Sequence, residues 1–150
     1  MTHPKTQSKP DFIWRWGCLL TCIANIYQWV EDMRVTPADM NEIFHEIKGY
    51  MLLDDPSTPS STASAIHWGN VKRFLEPSIE IRNRVSIYDY FDSEDYYYIA
   101  RVTHSTGVGS HYLLVIGKGD NTFWCFDPET GDTIGVNADD IFYLHEFRRK

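Results

Sequence analysis

Apolar positions at Leu19, Ile23, Ile26, Tyr27 and Val30 recur at three- and four-residue steps. That period predicts a core-packed helix over residues 18–33. A second stripe, Met40, Ile43, Phe44 and Ile47, marks a helix over Pro37–Ile47. Thr36 caps it, Pro37 fits its first turn, and Lys48-Gly49 stops it. Ile66, Val71, Phe74 and Leu75 predict a third helix over Ala63–Leu75, ended by Pro77. Residues 1–17, with Pro4 and Pro10, read as an extended lead-in. Residues 54–62 read as a loop too short to be a domain linker.

The pattern changes at Ile79. Ile79-Glu80-Ile81 is a short strand, and Tyr96–Val102 a stronger one of aromatic and β-branched residues. Tyr112–Ile116 is apolar on both faces, as a central strand is. Thr122–Asp127 follows after a turn at Lys118–Asn121. Pro128-Glu129-Thr130-Gly131 turns the chain, with Gly131 where a positive φ is tolerated. Thr133–Val136 pairs back as a hairpin, and Ile141–Phe147 is a last strand. Helices first and an antiparallel sheet afterwards predict an α+β domain with segregated layers, one domain over residues 1–150.

Composition narrows the function. Apolar residues make up 43% of the 150, enough for a core, and aromatic residues 15%. The net charge of −7 argues against a general nucleic-acid role, which needs an excess of Lys and Arg. No apolar run approaches the ~20 residues of a membrane span. Met1 to Asp11 is polar and lacks a signal-peptide core, so a cytoplasmic origin is expected, with release by lysis or within a particle open.

Of three cysteines, Cys18 opens the first helix directly after Gly17. Unpaired N–H groups and the positive dipole end there favour a thiolate. The alternative is a small core residue that happens to start a helix. The odd cysteine count and wide spacing do not form a disulfide framework. Cys18 and Cys22 share a helix face, but no closely spaced ligands complete a zinc site. No metal or cofactor is expected.

His111 stands just before the most apolar strand, and Asp127 closes the next one. Adjacent antiparallel strands put both at one end of the sheet, where Asp127 would orient the imidazole. Cys18, His111 and Asp127 then form nucleophile, base and orienting carboxylate. Each has a plainer reading: a strand-end histidine, or an aspartate that forms a turn before proline. His104, after the previous strand, is a rival base. His45, His67 and His145 lack a partnered context.

These motifs resemble the papain-like cysteine peptidases, in the branch of the bacteriocin leader-processing peptidases and their short bacterial and phage relatives. The resemblance spans nearly the whole chain. It rests on Gln7, Gly17-Cys18 and Thr21; on Thr36-Pro37-Ala38-Asp39-Met40-Asn41 and Gly49-Tyr50; and on Gly109-Ser110-His111-Tyr112, Gly117 and Asp127-Pro128-Glu129-Thr130-Gly131. The last block is the most specific. The resemblance implies a papain-like fold and a Cys18–His111–Asp127 peptidase. It also implies Gln7 as an oxyanion donor beside the backbone N–H of Cys18. Gln7-Ser8-Lys9 departs from the usual setting of that Gln, so a solvated Gln7 stays open. Trp14, Trp16 and Ser110 are candidate substrate contacts; packing under the sheet is the alternative for the tryptophans.

The expected reaction is hydrolysis of a peptide amide. The expected substrate is a stem peptide or cross-bridge of peptidoglycan, cut by a phage or bacterial enzyme, with a virion or tail assembly as a possible partner. Without an appended transporter segment, export of a bacteriocin is disfavoured. Two rivals remain: an inactive structural or binding module on the same fold, and an acyl or amide transferase using the same triad.

Overall fold

The computed structural model describes residues 6–8, 17–52, 63–103 and 110–150. Much of the lead-in, the 54–62 loop, Trp14, Trp16, His104 and Gly107–Gly109 lie outside the described residues. The first helix, α1 (Gly17–Glu31), is buried along nearly its whole length. Leu19, Leu20, Ile23 and Ile26 pack into the core, each contributing roughly 1.5–3 kcal/mol by leaving water. Thr21, Asn25 and Gln28 form a buried polar stripe on the same helix. Residues 6–8 lie along it: Gln7 N donates to Asn25 Oδ1 at 2.9 Å, and Asn25 Nδ2 donates back to Gln7 O at 3.1 Å. Buried polar groups need such partners, so this segment serves Asn25 and Gln28, while the buried Thr21 Oγ1 has no hydrogen-bond partner among the described residues.

The second helix, α2 (Pro37–Glu46), begins with a capping box between Thr36 and Asp39. It ends in a Schellman turn. Lys48, at φ +56°, takes the left-handed position, and Gly49 N donates to Phe44 O at 2.7 Å. Gly49 is required for close packing, since a Cβ there would sit 3.2 Å from both Phe44 and Val71. Two short strands follow, β1 (Tyr50–Leu52) and β2 (Ala63–Ile66), paired antiparallel. The third helix, α3, spans only Trp68–Leu75. Residues 63–66, expected to begin it, are therefore strand. Ile66 is five positions before Val71, off the helical stripe, and His67 Nδ1 accepts from Asn70 N at 3.1 Å to cap the helix there.

The remaining strands are β3 (Ile79–Val85), β4 (Tyr96–Thr103), β5 (Ser110–Lys118), β6 (Thr122–Phe126), β7 (Thr133–Asn137) and β8 (Tyr143–Arg149). They form one antiparallel sheet in the order β3-β8-β4-β5-β6-β7. The last strand thus inserts between β3 and β4, and the apolar β5 is central as expected. Strand alternation splits the core in two. Tyr97, Ile99, Tyr112, Leu114 and Phe126 face the helices, while Tyr98, Ala100, Leu113, Phe123 and Cys125 form a second cluster on the opposite face. The architecture is α+β, with helices packed on an antiparallel sheet.

His145 on β8 is only 2% exposed and is ringed by Trp68, Tyr112 and Tyr143. Its Nδ1 lies 3.0 Å from Asn83 Nδ2 and accepts from it, as a neutral imidazole does. Burial first, then the nearby Arg84 and Lys72, push its pKa down to about 4. The unfolded chain binds this proton near pH 6.5, so stability is complete above that value and is lost as pH falls toward 4. At 1.36 kcal/mol per unit, the loss is about 3 kcal/mol between pH 7 and pH 4. Urea denaturation at the two pH values should show a shallower pH dependence in His145→Gln by that amount; equal slopes would refute the assignment.

Candidate active site

Cys18 is the second residue of α1, inside its first turn. One turn further, Cys22 Sγ lies 3.9 Å from Tyr112 O on β5, where the helix rests on the strand. This contact places Cys18 beside the start of β5, at His111. His111 is 7% exposed and pairs across the ladder with Val102 of β4. Asp127, 8% exposed, follows the last residue of β6. Its Oδ1 lies 2.9 Å from His111 Nε2. A carboxylate accepts here, so Nε2 carries the hydrogen and Nδ1 is the nitrogen left to exchange a proton. Cys18 Sγ, a His111 ring nitrogen and a Glu129 oxygen all lie within 4.8 Å of one another.

The loop after β6 fixes this arrangement. Asp127 N donates to Asp132 O and Gly131 N to Asp127 O, both at 2.8 Å. Gly131 takes φ +79°, as its place in the turn requires. Glu129 N donates to Asp127 Oδ1 at 2.9 Å, so one carboxylate oxygen holds both the imidazole and the loop. That bond brings Glu129 into the site. Its Oε2 lies 3.8 Å from Cys18 Sγ and 3.8 Å from His111 Nδ1. Sequence reasoning read Glu129 only as a turn residue. The available signal was an acid two positions after Asp127 in a turn that folds back on Asp127.

No protein-family model matches the chain, and no curated protein matches it. Among solved structures, it is similar to the peptidase domain of Streptococcus ComA, a bifunctional ABC transporter of a quorum-sensing pathway. The TM-score is 0.60 at 17% identity, over 97% of this chain and all of that one. The chain has the fold of a peptidase domain. The papain-like architecture expected from the motifs therefore holds at the level of the fold. On this fold the N-terminus of α1 and the ends of β5 and β6 meet, and Cys18, His111 and Asp127 are what they bring together.

Gln7 is not brought to that point. Its Nε2 donates to Gln28 Oε1 at 3.0 Å and to Val35 O at 2.8 Å. Gln28 is ten residues beyond Cys18 on α1, ~15 Å along the axis at 1.5 Å per residue. The expected oxyanion donor is thus a partner for the buried polar stripe, and this corrects its assignment. Ser110 precedes His111 on β5, and its Oγ accepts from Arg101 Nε at 2.9 Å. A groove of about 490 Å³ runs from His111, Asp127 and Glu129 over Leu113, Val136 and Phe142. Among the described residues no helix is long and apolar enough to cross a membrane.

The three thiols differ sharply. Cys22 and Cys125 are fully buried, and Cys18 is partly exposed. Burial, then the neighbouring Cys18, Cys125 and Asp127, raises the Cys22 pKa well above that of an ordinary thiol, and burial pushes Cys125 up to about 12. Iodoacetamide on the native protein should therefore add one carbamidomethyl group, mapped by peptide mass spectrometry to Cys18, and three after unfolding. A native adduct on Cys22 or Cys125 would contradict this reading.

Proposed function

We propose that the chain is a cysteine peptidase that hydrolyses a peptide amide with Cys18 as nucleophile, His111 as base and Asp127 as the group that orients His111. The observation that carries this reading is the shared position of Cys18 Sγ and the His111 imidazole, with Nε2 held at 2.9 Å by Asp127. In the first step the Cys18 proton passes to His111 Nδ1, and Sγ attacks the carbonyl carbon. The first turn of α1, whose N–H groups carry the positive end of the helix dipole, would supply the donors to the oxygen as it gains charge. Backbone donors take the role that Gln7 is too distant to fill. His111 then gives its proton to the leaving amine as the C–N bond breaks, leaving a thioester. Water, losing a proton to His111, attacks the thioester, and the acid leaves as the thiol is restored. Asp127 keeps the imidazole in one orientation and stabilises it when charged.

The groove beside His111, with its apolar floor at Leu113, Val136 and Phe142, has room for a substrate side chain next to the scissile amide. The finer reading assigns the amide to peptidoglycan stem peptides or cross-bridges, cut by a phage or bacterial enzyme that can be carried on a virion or tail. Its support is the acidic, aromatic composition and the motif resemblance. Trp14 and Trp16 keep their proposed place along the substrate. An inactive module on the same fold is the second reading, favoured by the distance of Gln7 from Cys18. Transfer to an amine needs the same three residues.

The test is the rate of Cys18 alkylation against pH in the parent and in His111→Ala. An ordinary thiol reacts with a midpoint near ~8.5. The parent should react well below that, and His111→Ala should return to it. The parent, and not Cys18→Ser, should also release fragments from peptidoglycan or linear peptides. An ordinary midpoint in both proteins with no cleavage would leave the inactive module. New amide products with an added amine would select transfer.

A further inference from the structure

We propose that Cys18, His111 and Glu129 form an inhibitory binding site for a thiophilic divalent cation, zinc above all. The three side chains offer one sulfur, one nitrogen and one oxygen. Glu129 Oε2 is 3.8 Å from Cys18 Sγ and 3.8 Å from His111 Nδ1, and the ligand atoms of all three are within 4.8 Å of one another. A tetrahedral zinc with Zn–S of ~2.3 Å and Zn–N or Zn–O of ~2.0–2.1 Å needs its ligand atoms ~3.3–3.6 Å apart. Contraction by a few tenths of an ångström at the Glu129 contacts brings that side chain to this spacing. Glu129 is 42% exposed and has room for such a movement, whereas His111 is held in place.

The surroundings complete the site. Asp127 fixes Nε2–H of His111, which turns the Nδ1 lone pair toward the cation, as a carboxylate does behind a metal-bound histidine. The mixed S, N, O set selects zinc or cadmium over magnesium and calcium, which take oxygen ligands. On binding, the thiol proton passes to solvent, and the six-coordinate hydrated cation sheds five waters and keeps one in the fourth position. The cation then occupies both the sulfur that attacks and the nitrogen that accepts the proton. Inhibition, as distinct from binding, rests on the peptidase reading. Glu129 adds the third ligand that a Cys–His pair alone lacks.

The test is a titration of the whole chain with cadmium chloride, followed by the ultraviolet charge-transfer band of a cadmium thiolate. The buried Cys22 and Cys125 contribute nothing in the native protein, so the band reports Cys18. The parent should saturate at one equivalent, reverse with EDTA, and lose cadmium to competing zinc. Glu129→Gln and Glu129→Ala should each bind at least tenfold more weakly, and Cys18→Ser should give no band. No saturable band, or an affinity equal to the parent's in both Glu129 variants, would overturn the site. Where peptide cleavage is measurable, one equivalent of zinc should abolish it; faster cleavage with zinc would overturn inhibition. A cadmium band without any cleavage keeps the site and removes the peptidase reading, so the two fail separately.

Discussion

The 2.9 Å contact between His111 Nε2 and Asp127 Oδ1 is the constraint on which the site depends. It joins the start of one central strand to the end of its neighbour, in a region where both groups are largely out of water. A buried imidazole with no acceptor would lose orientation and leave a polar group unsatisfied. With Asp127 in place, one tautomer is selected and the second ring nitrogen is the one left for the proton transfer proposed with Cys18. The same oxygen accepts from Glu129 N, so the loop that supplies the carboxylate is shaped by the bond it makes.

The sheet and α1 exist in the right relation because the core is double-sided. The apolar face of β5 at Tyr112 and Leu114 receives the helix, while Leu113 and Val115 pack on the opposite side. Fixing β5 from both faces fixes His111 at its end. Cys22, one turn into α1, rests against the backbone of Tyr112 and sets how far the first turn of the helix reaches. The partly exposed Cys18 is therefore placed by a buried cysteine.

Much of this was legible in the chain. The apolar period of residues 19–30 and the two-faced apolar run of 112–116 are strong, local signals, and antiparallel pairing across a short turn was enough to put His111 and Asp127 together. What could not be read was set by tertiary partners. Ile66 looked helical by type, but residues 63–66 are recruited as a strand by Tyr50–Leu52, a distant segment. Gln7 sat at a plausible distance upstream of Cys18; its place follows from the unmet hydrogen bonds of Asn25 and Gln28, which show only when the helix is buried all round. Glu129 enters the site through a backbone bond inside a turn, and nothing in residue type alone separates it from any acid in a loop.

The orienting role proposed for Asp127 is tested most directly by the rate of Cys18 alkylation at neutral pH in Asp127→Ala and Asp127→Asn, compared with the parent and with folding checked by circular dichroism. Asn retains an oxygen that accepts from His111 Nε2, so Asp127→Asn should keep a substantial part of the rate, while Asp127→Ala should fall toward that of an ordinary thiol. Equal rates in all three folded proteins would contradict the triad.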